Sequence, residues 1–316
     1  MAFTHDIADY PEGIVLAVDK PYRWTSADVI RKLKWRAIWH FGKKNLKVGH
    51  AGTLDPLATG VLLVCIGNAC KRAQELQDHD KEYIARIRFG ATTPSYDLEK
   101  DVDRLFPYEH ITADAVRAAL PAFLGEQEQV APLFSAKSVD GVRAYELARK
   151  LYRNGRFDEL DAAALESLQR NRIVISELEL LGFYPSGEIL SPESVATLGP
   201  FEVGSAPLLS PCGSRPISPP SSDTASAGRS DERFCPCESA SSASSRINVA
   251  DTSALGLPEA VIRITCSKGT YIRAFARDLG EALGSGAHLS GLIRSRSGDY
   301  RVENALSLDQ ALSLFE

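Results

Sequence analysis

Asp55 is the side chain whose surroundings most favour chemistry, because it lies in a stiff turn directly before a buried strand. The turn reads Gly-His-Ala-Gly-Thr-Leu-Asp-Pro over residues 49–56. Pro56 restricts Asp55 to extended backbone conformations, and the apolar run at 61–66 predicts the buried strand. A carboxylate held in this way is placed for nucleophilic or acid–base catalysis. From these residues alone, an Asp-Pro turn without a chemical role is the alternative.

A run of cations lies just before this turn and suggests an anionic partner. Its members are Arg31, Lys32, Lys34, Arg36, Lys43, Lys44 and Lys47, with Trp35, Trp39 and Phe41 among them and no acidic residue. Cations interleaved with aromatic side chains are typical of surfaces that contact nucleic-acid phosphates. The net charge of −5 weakly opposes such a partner, and a solvated helix face with core aromatics is the alternative.

The composition, 44% hydrophobic and 24% charged, is that of a globular protein. The longest apolar run covers only residues 61–66, and the first residues lack the pattern of a signal peptide, so we expect a cytoplasmic protein without a membrane span. Glycine-rich nucleotide-binding motifs are missing. Cys212, Cys235 and Cys237 could hold a metal, but their spacing favours unpaired thiols.

The elements that must position Asp55 follow from periodicity and capping signals. Strands are predicted at 13–19, 61–66, 82–89, 172–184 and 259–266, and helices at 25–35, 112–124, 144–152 and 271–283. Their order predicts an α+β domain with a central mixed or mostly antiparallel sheet flanked by helices. It does not fit a Rossmann or P-loop fold.

A change of composition near residue 187 predicts an insertion within this domain. Between residues 191 and 250 the chain has fifteen serines and eight prolines. Such a segment buries too little apolar surface to offset its ordering entropy, so residues 187–256 are predicted to be disordered. The strands at 172–184 and 259–266 flank the insertion, and we expect them to pair as a hairpin with a very long loop.

Several blocks of the sequence, in the same order, resemble the TruB family of tRNA pseudouridine synthases. The segment 49–62 resembles the family's catalytic motif. The other matching blocks are Lys20-Pro21 with Thr25-Ser26, Lys81-Glu82-Tyr83, and the segments 90–97, 134–136, 141–149, 267–273 and 286–292. The likeness extends over about 13–185 and 259–309, and an ordered set of this size is not expected by chance.

The resemblance implies a pseudouridine synthase fold, with one catalytic domain over residues 1–316. It implies isomerisation of the uridine in the TΨC loop of tRNA, with the T-arm stem-loop as partner and the enzyme as a monomer. No cofactor or metal is expected, because all atoms and electrons of the reaction stay within the nucleotide. The target uridine must leave its stack to react, which costs a few kcal/mol.

Three residues receive catalytic roles from the resemblance. Asp55 would be the nucleophile, and attack on the uracil ring or on the ribose anomeric carbon are both left open. Tyr83 would stack on the uridine and could serve in proton removal from the ring carbon. Arg273 would pair with Asp55 and keep it ionised and aimed.

Four further residues are implied in substrate binding. Tyr271 and Leu292 would line the pocket, and His50 would contact the displaced RNA. Lys20 would contact a phosphate or support the motif. Without the resemblance, each of these side chains has an ordinary structural role as its alternative.

The chain departs from the family pattern at three places. Arg23 and Trp24 stand where the family generally has a glycine, and Lys137 is displaced by one position. The sequence ends at Glu316, where many relatives carry an RNA-binding domain of PUA type, so we expect a form without that domain.

Three alternatives to a stand-alone tRNA enzyme stay open. One is an RNA-folding chaperone with secondary catalysis, suggested by the cationic and aromatic run. A phosphatase-type use of Asp55 is weaker, because no second acidic metal ligand lies nearby in the sequence. A third is dependence on a guide RNA, as in a relative with similar motifs.

Overall fold

The computed structural model describes residues 2–132, 170–185 and 247–316, together with the backbone of two short strands at 138–139 and 142–143. Several predictions lie outside these residues and stay predictions. They are the helix at 144–152, the insertion up to residue 246, the blocks at 134–136 and 144–149, the displaced Lys137, and the cysteines at 212, 235 and 237.

Strands outnumber helices in the described part of the chain. The strands are β1 (Ile14–Lys20), β2 (Val48–His50), β3 (Ala58–Ile66), β4 (Lys81–Phe89), β5 (Ala91–Thr92), β6 (Arg104–Leu105), β7 (Gly125–Val130), β8 (Ser138–Val139), β9 (Val142–Arg143), β10 (Arg170–Tyr184), β11 (Glu259–Cys266), β12 (Ala287–Ser297) and β13 (Tyr300–Arg301). The α-helices are α1 (Ser26–His40), α2 (Ala73–Asp78), α3 (Ala113–Ala119), α4 (Ile272–Ala282) and α5 (Leu308–Ser313). Short 3-10 turns lie at Ile7–Asp9, Gly67–Arg72, Leu120–Phe123, Ser253–Leu255 and Val302–Asn304.

A large central sheet organises the domain. In the described chain it has nine strands, with the order β1-β3-β12-β4-β11-β10-β7, while β2 pairs with β3 and β13 with β12. Every pair is antiparallel except β3–β12, which is parallel. This confirms the predicted α+β class with a mixed, mostly antiparallel sheet. The pairing of β10 with β11 also confirms the predicted hairpin.

Local sequence explains how the elements nearest to Asp55 form. Strand β4 buries every second side chain, which matches its alternating sequence. Helix α1 begins with a capping box between Thr25 and Asp28. It runs to His40, five residues beyond the predicted end, because Ala37 and His40 continue the buried stripe started by Val29 and Leu33.

The parallel contact between β3 and β12 brings the C-terminal part of the chain against the Asp55 turn. Leu292 lies beside Ala58, and Arg294 beside Gly60. Gly60 has φ +95°, and a Cβ atom there would lie 2.3 Å from the carbonyl oxygen of Arg294. Only glycine permits this backbone approach.

The last ten residues of the predicted insertion, 247–256, pack against the domain. The amide of Ala250 donates to the Leu98 carbonyl at 2.8 Å. Arg88 donates to Thr252 Oγ1 at 2.7 Å, and Arg23 donates to the Ile247 carbonyl at 2.6 Å. These residues therefore belong to the folded domain. In the part of the chain that the structure describes, no helix is long and apolar enough to cross a membrane.

Candidate active site

The carboxylate of Asp55 is held by a buried arginine from the first turn of α4. Arg273 Nε donates to Asp55 Oδ2 at 2.9 Å, and Nη2 donates to Oδ1 at 3.0 Å. The Arg273 side chain is 5% exposed and that of Asp55 is 37% exposed. Two parallel hydrogen bonds fix the orientation of the carboxylate, and its outer face stays open to a ligand.

A second carboxylate, that of Asp97, also lies close to the guanidinium of Arg273. Its Oδ2 is 3.9 Å from Arg273 Nε, while Oδ1 accepts hydrogen bonds from Ser95 Oγ at 2.6 Å and from the Glu99 amide at 2.9 Å. Burial raises the pKa of Asp97, and the charge of Arg273 opposes that shift. For Arg273 itself, burial opposes the charge, but Asp55 and Asp97 outweigh it and hold the pKa above the usual value.

These charged groups line an open cleft. Its walls include the side chains of Tyr22, Leu57, Leu289 and Leu292. The cleft therefore combines one oriented carboxylate with apolar and aromatic walls, an arrangement suited to a flat ring placed next to a nucleophile.

Ser26, at the start of α1, holds the residue before Asp55. Its hydroxyl donates to the Leu54 carbonyl at 3.1 Å and accepts from the Leu54 amide at 2.9 Å. Both partners are buried. The turn is thus tied to a helix as well as to the sheet, which limits movement of the neighbouring carboxylate.

The side chain of Lys20 also bonds the backbone of this turn. It is 0% exposed, and its ammonium donates to the carbonyls of Pro21, Trp24 and Pro56 at 2.9, 2.6 and 3.1 Å. Burial lowers its pKa to about 7. The ammonium is thus fully buried among three backbone carbonyls, and the two roles expected for Lys20, phosphate contact and support of the motif, stay predictions.

The nearby departure from the family pattern has a conformational cost. Arg23 has φ +63°, the left-handed region that favours glycine. In this chain the arginine side chain compensates in part, through its hydrogen bond to the Ile247 carbonyl.

Arg294 links several parts of the site, although nothing in the sequence singled it out. It is 1% exposed, and it donates to the Val61 carbonyl at 2.6 Å and to the Gly52 carbonyl at 3.2 Å. Tyr83 lies opposite it on β4. The next arginine on β12, Arg296, lies nearer the surface and bonds only the Gly298 carbonyl among the described residues.

The chain matches known proteins over most of its length. Residues 39–183 match the model of the TruB family pseudouridylate synthase N-terminal domain. The tRNA pseudouridine synthase B of Phocaeicola vulgatus is 42% identical over 301 residues, which cover 95% of this chain and 92% of that protein. The chain belongs to the TruB family. The enzyme of the same name from Flavobacterium johnsoniae is 36% identical over 310 residues, which are 98% of this chain and 96% of its relative.

Solved structures share the fold of this TruB family member. A chain in a crystal structure of a Cbf5-Nop10-Gar1 complex matches with a TM-score of 0.52 and 21% identity, over 97% of this chain and 56% of that one. A structure of an H/ACA RNP bound to a substrate RNA containing 2'-deoxyuridine matches with a TM-score of 0.50 and 19% identity, over 99% and 57%. The chain thus spans little more than half the length of these matched chains.

The structure brings together some of the positions expected for a TruB protein and leaves others apart. Asp55, Arg273 and Leu292 meet at the cleft. Tyr83, Tyr271 and His50 are not among the residues that line it.

The surroundings of these three residues differ. Tyr83 is 9% exposed, and burial raises the pKa of its phenol while Arg294 opposes the shift. The backbone N–H of Tyr271 donates to Gln129 Oε1 at 2.8 Å, and its carbonyl accepts from Gln129 Nε2 at 3.1 Å. Burial lowers the pKa of the half-buried His50, which favours a neutral ring.

Three functional neighbours were missed by sequence reasoning. Asp97 and Ser26 lie inside blocks that match the family, but no role was assigned to either. Those blocks were the signal that could have found them. Arg294 follows Leu292 by two positions, and no local pattern separates it from Arg296.

Proposed function

We propose that this protein converts the uridine of the tRNA TΨC loop to pseudouridine, with Asp55 as the nucleophile. The observation that carries this proposal is the bidentate pair between Asp55 and the buried Arg273, both of which line an open cleft. Membership in the TruB family supports the reaction class, and the names of the relatives support tRNA as substrate. We further infer that it acts as a monomer in the cytoplasm.

The proposed chemistry needs only groups of the chain and the nucleotide. Asp55 attacks either the uracil ring or the ribose anomeric carbon, and the N1–C1′ bond breaks. The detached uracil turns, C5 bonds to C1′, the bond to Asp55 breaks and frees its carboxylate, the C5 proton is removed and N1 gains a proton. The product is an isomer of the substrate, so no oxidant or co-substrate enters. Arg273 orients the Asp55 carboxylate for this attack through its two hydrogen bonds.

The remaining side chains act on the base and the RNA in this proposal. Tyr83 stacks on the turned-out uracil and assists removal of the C5 proton. Burial raises the pKa of its phenol, and the charge of Arg294 opposes that rise. Leu292 and Tyr271 contact the base, and His50 contacts the strand from which the uridine was extruded. Because Tyr83 and Tyr271 do not line the present cleft, RNA binding must bring them to the base.

The test is to incubate the purified protein with an unmodified tRNA transcript and to map pseudouridine by carbodiimide labelling and primer extension. We expect one modified position, in the TΨC loop, and no product from Asp55→Asn. Asp114→Asn is the matched control, because the Asp114 side chain is 94% exposed and should be dispensable. No product from the wild-type protein, or equal product from Asp55→Asn, would refute the proposal.

A further inference from the structure

The outer face of α1 carries two exposed tryptophans that the proposed reaction does not use. Trp35 is 45% exposed and Trp39 is 66% exposed. They are four residues apart, so they lie on one face of the helix, opposite the buried stripe that contains Leu33 and Ala37. Exposed tryptophans side by side indicate a contact surface, because burial of an indole is strongly favourable.

The charges around these indoles are almost all positive. Arg31 pairs with Asp28 and Arg36 pairs with Glu316. The lysines Lys34, Lys43, Lys44 and Lys47 are exposed and have no carboxylate partner among the residues that the structure describes. The guanidinium of Arg36 lies 5.6 Å from the ring centre of Trp39, so a cation and a flat aromatic surface are presented together.

Helix α1 begins beside the active site, and its two exposed tryptophans lie farther along it. Ser26, the first residue of α1, holds Leu54 next to the proposed nucleophile. A helix rises about 1.5 Å per residue, which places Trp35 roughly 14 Å and Trp39 roughly 20 Å along the axis from Ser26. An RNA bound in the cleft is long enough to reach these indoles, whereas a small molecule is not.

We propose that the outer face of α1 is a second RNA-binding surface, where Trp39 stacks on an unpaired base and the neighbouring cations contact phosphates. The inference rests on the proposed function for the identity of the RNA, a tRNA whose target uridine occupies the cleft. Stacking on an aromatic ring beside cations is how unpaired nucleotides are held without sequence readout. A second copy of this chain fits less well, because it would bring cations against cations.

The test compares tRNA affinity in an Asp55→Asn background, which keeps the whole chain and prevents turnover. Trp39→Ala should raise the Kd for an unmodified tRNA transcript about 5- to 150-fold, the range for loss of one stacked base. Trp39→Phe should recover most of the affinity, because the stacking surface is kept. Leu105→Ala is the matched control, since Leu105 is 67% exposed on β6 and should leave the Kd unchanged.

A second arm tests the phosphate contacts. Replacing Lys34, Lys43 and Lys44 together by glutamine should lower the slope of log Kd against log salt by about 0.7 to 0.9 for each lost contact. Lys71→Gln, which removes an exposed lysine outside this surface, should leave the slope unchanged.

The outcomes separate this surface from the proposed function. Unchanged tRNA affinity in Trp39→Ala overturns the inference. So does a Trp39→Ala variant that changes the sedimentation of the free protein but not its affinity for tRNA. Pseudouridine formation by the wild-type chain is measured separately on the same transcript. If the wild-type chain forms none while Trp39→Ala still weakens binding, the proposed function fails and the surface stands.

Discussion

Arg273 donates two hydrogen bonds to the carboxylate of Asp55, although the residues are 218 positions apart in the sequence. The pair places a buried cation at the start of a helix, where the helix dipole disfavours positive charge. Two carboxylates, Asp55 and Asp97, compensate for that cost. Because Asp55 is the more exposed of the two and lines the open cleft, the arrangement orients the carboxylate that we propose as the nucleophile.

Replacing Arg273 should separate the effect of charge from that of geometry. Arg273→Lys keeps a cation but loses the two-pronged contact, so we expect kcat to fall about 100-fold. Arg273→Met should lower it about 1,000-fold or more, because it also leaves Asp55 without a counter-charge. Single-turnover rates on a tRNA transcript measure both. Equal rates for the two variants would contradict a role for bidentate geometry.

Asp97→Asn should weaken catalysis without weakening RNA binding. The change removes one of the two negative charges that balance Arg273 but keeps the size of the side chain and its contact to Ser95. We expect kcat to fall about 10-fold or more and the Kd for tRNA to stay within about 3-fold, since the Asp97 side chain is almost fully buried. A loss confined to the Kd would show that Asp97 contacts RNA instead.

Arg294→Met should destabilise the fold, because it removes the donor to the buried carbonyl of Val61 and to the partly buried carbonyl of Gly52. Each unsatisfied group costs about 1 to 3 kcal/mol, so the free energy of unfolding should fall by about 2 to 5 kcal/mol. Urea denaturation measures this, with Arg296→Met on the same strand as control. An equal decrease in the free energy of unfolding in both variants would show that the hydrogen bonds of Arg294 do not stabilise the fold more than those of Arg296.

Because Lys20 is buried, the free energy of unfolding should depend on pH through its ammonium group. Its pKa is about 7 in the folded chain, against an ordinary value of 10.5, because of burial. Below pH 7 both folded and unfolded chains carry the proton, and the full cost of burying the charge is present. From pH 7 to 10.5 the unfolded chain binds more protons, so the contribution of Lys20 to stability rises with pH.

The comparison with Lys20→Met isolates this contribution. The free energy of unfolding of the wild-type chain, relative to the variant, should increase by about 2 kcal/mol between about pH 7 and 9. Urea titrations at several pH values measure it, and Lys71→Met, at an exposed lysine, should show no such trend. A flat difference would mean that the ammonium keeps its proton throughout this range.

The sequence by itself determined the local parts of the site. Pro56 and the neighbouring glycines determine the turn that contains Asp55. Thr25 and Asp28 determine where α1 begins, and the alternation of apolar and polar residues determines β4. The family blocks pointed to Arg273 as partner of Asp55. These features depend on neighbours in the chain, and so short windows of sequence carry them.

Only the tertiary structure decided which polar side chains are buried and what they hold. The parallel contact of β12 with β3 selects Arg294 over Arg296, and the fold buries the Lys20 ammonium among three backbone carbonyls. Asp97 reaches Arg273 for the same reason. Such contacts depend on the order and register of strands from distant parts of the chain, which local periodicity does not encode.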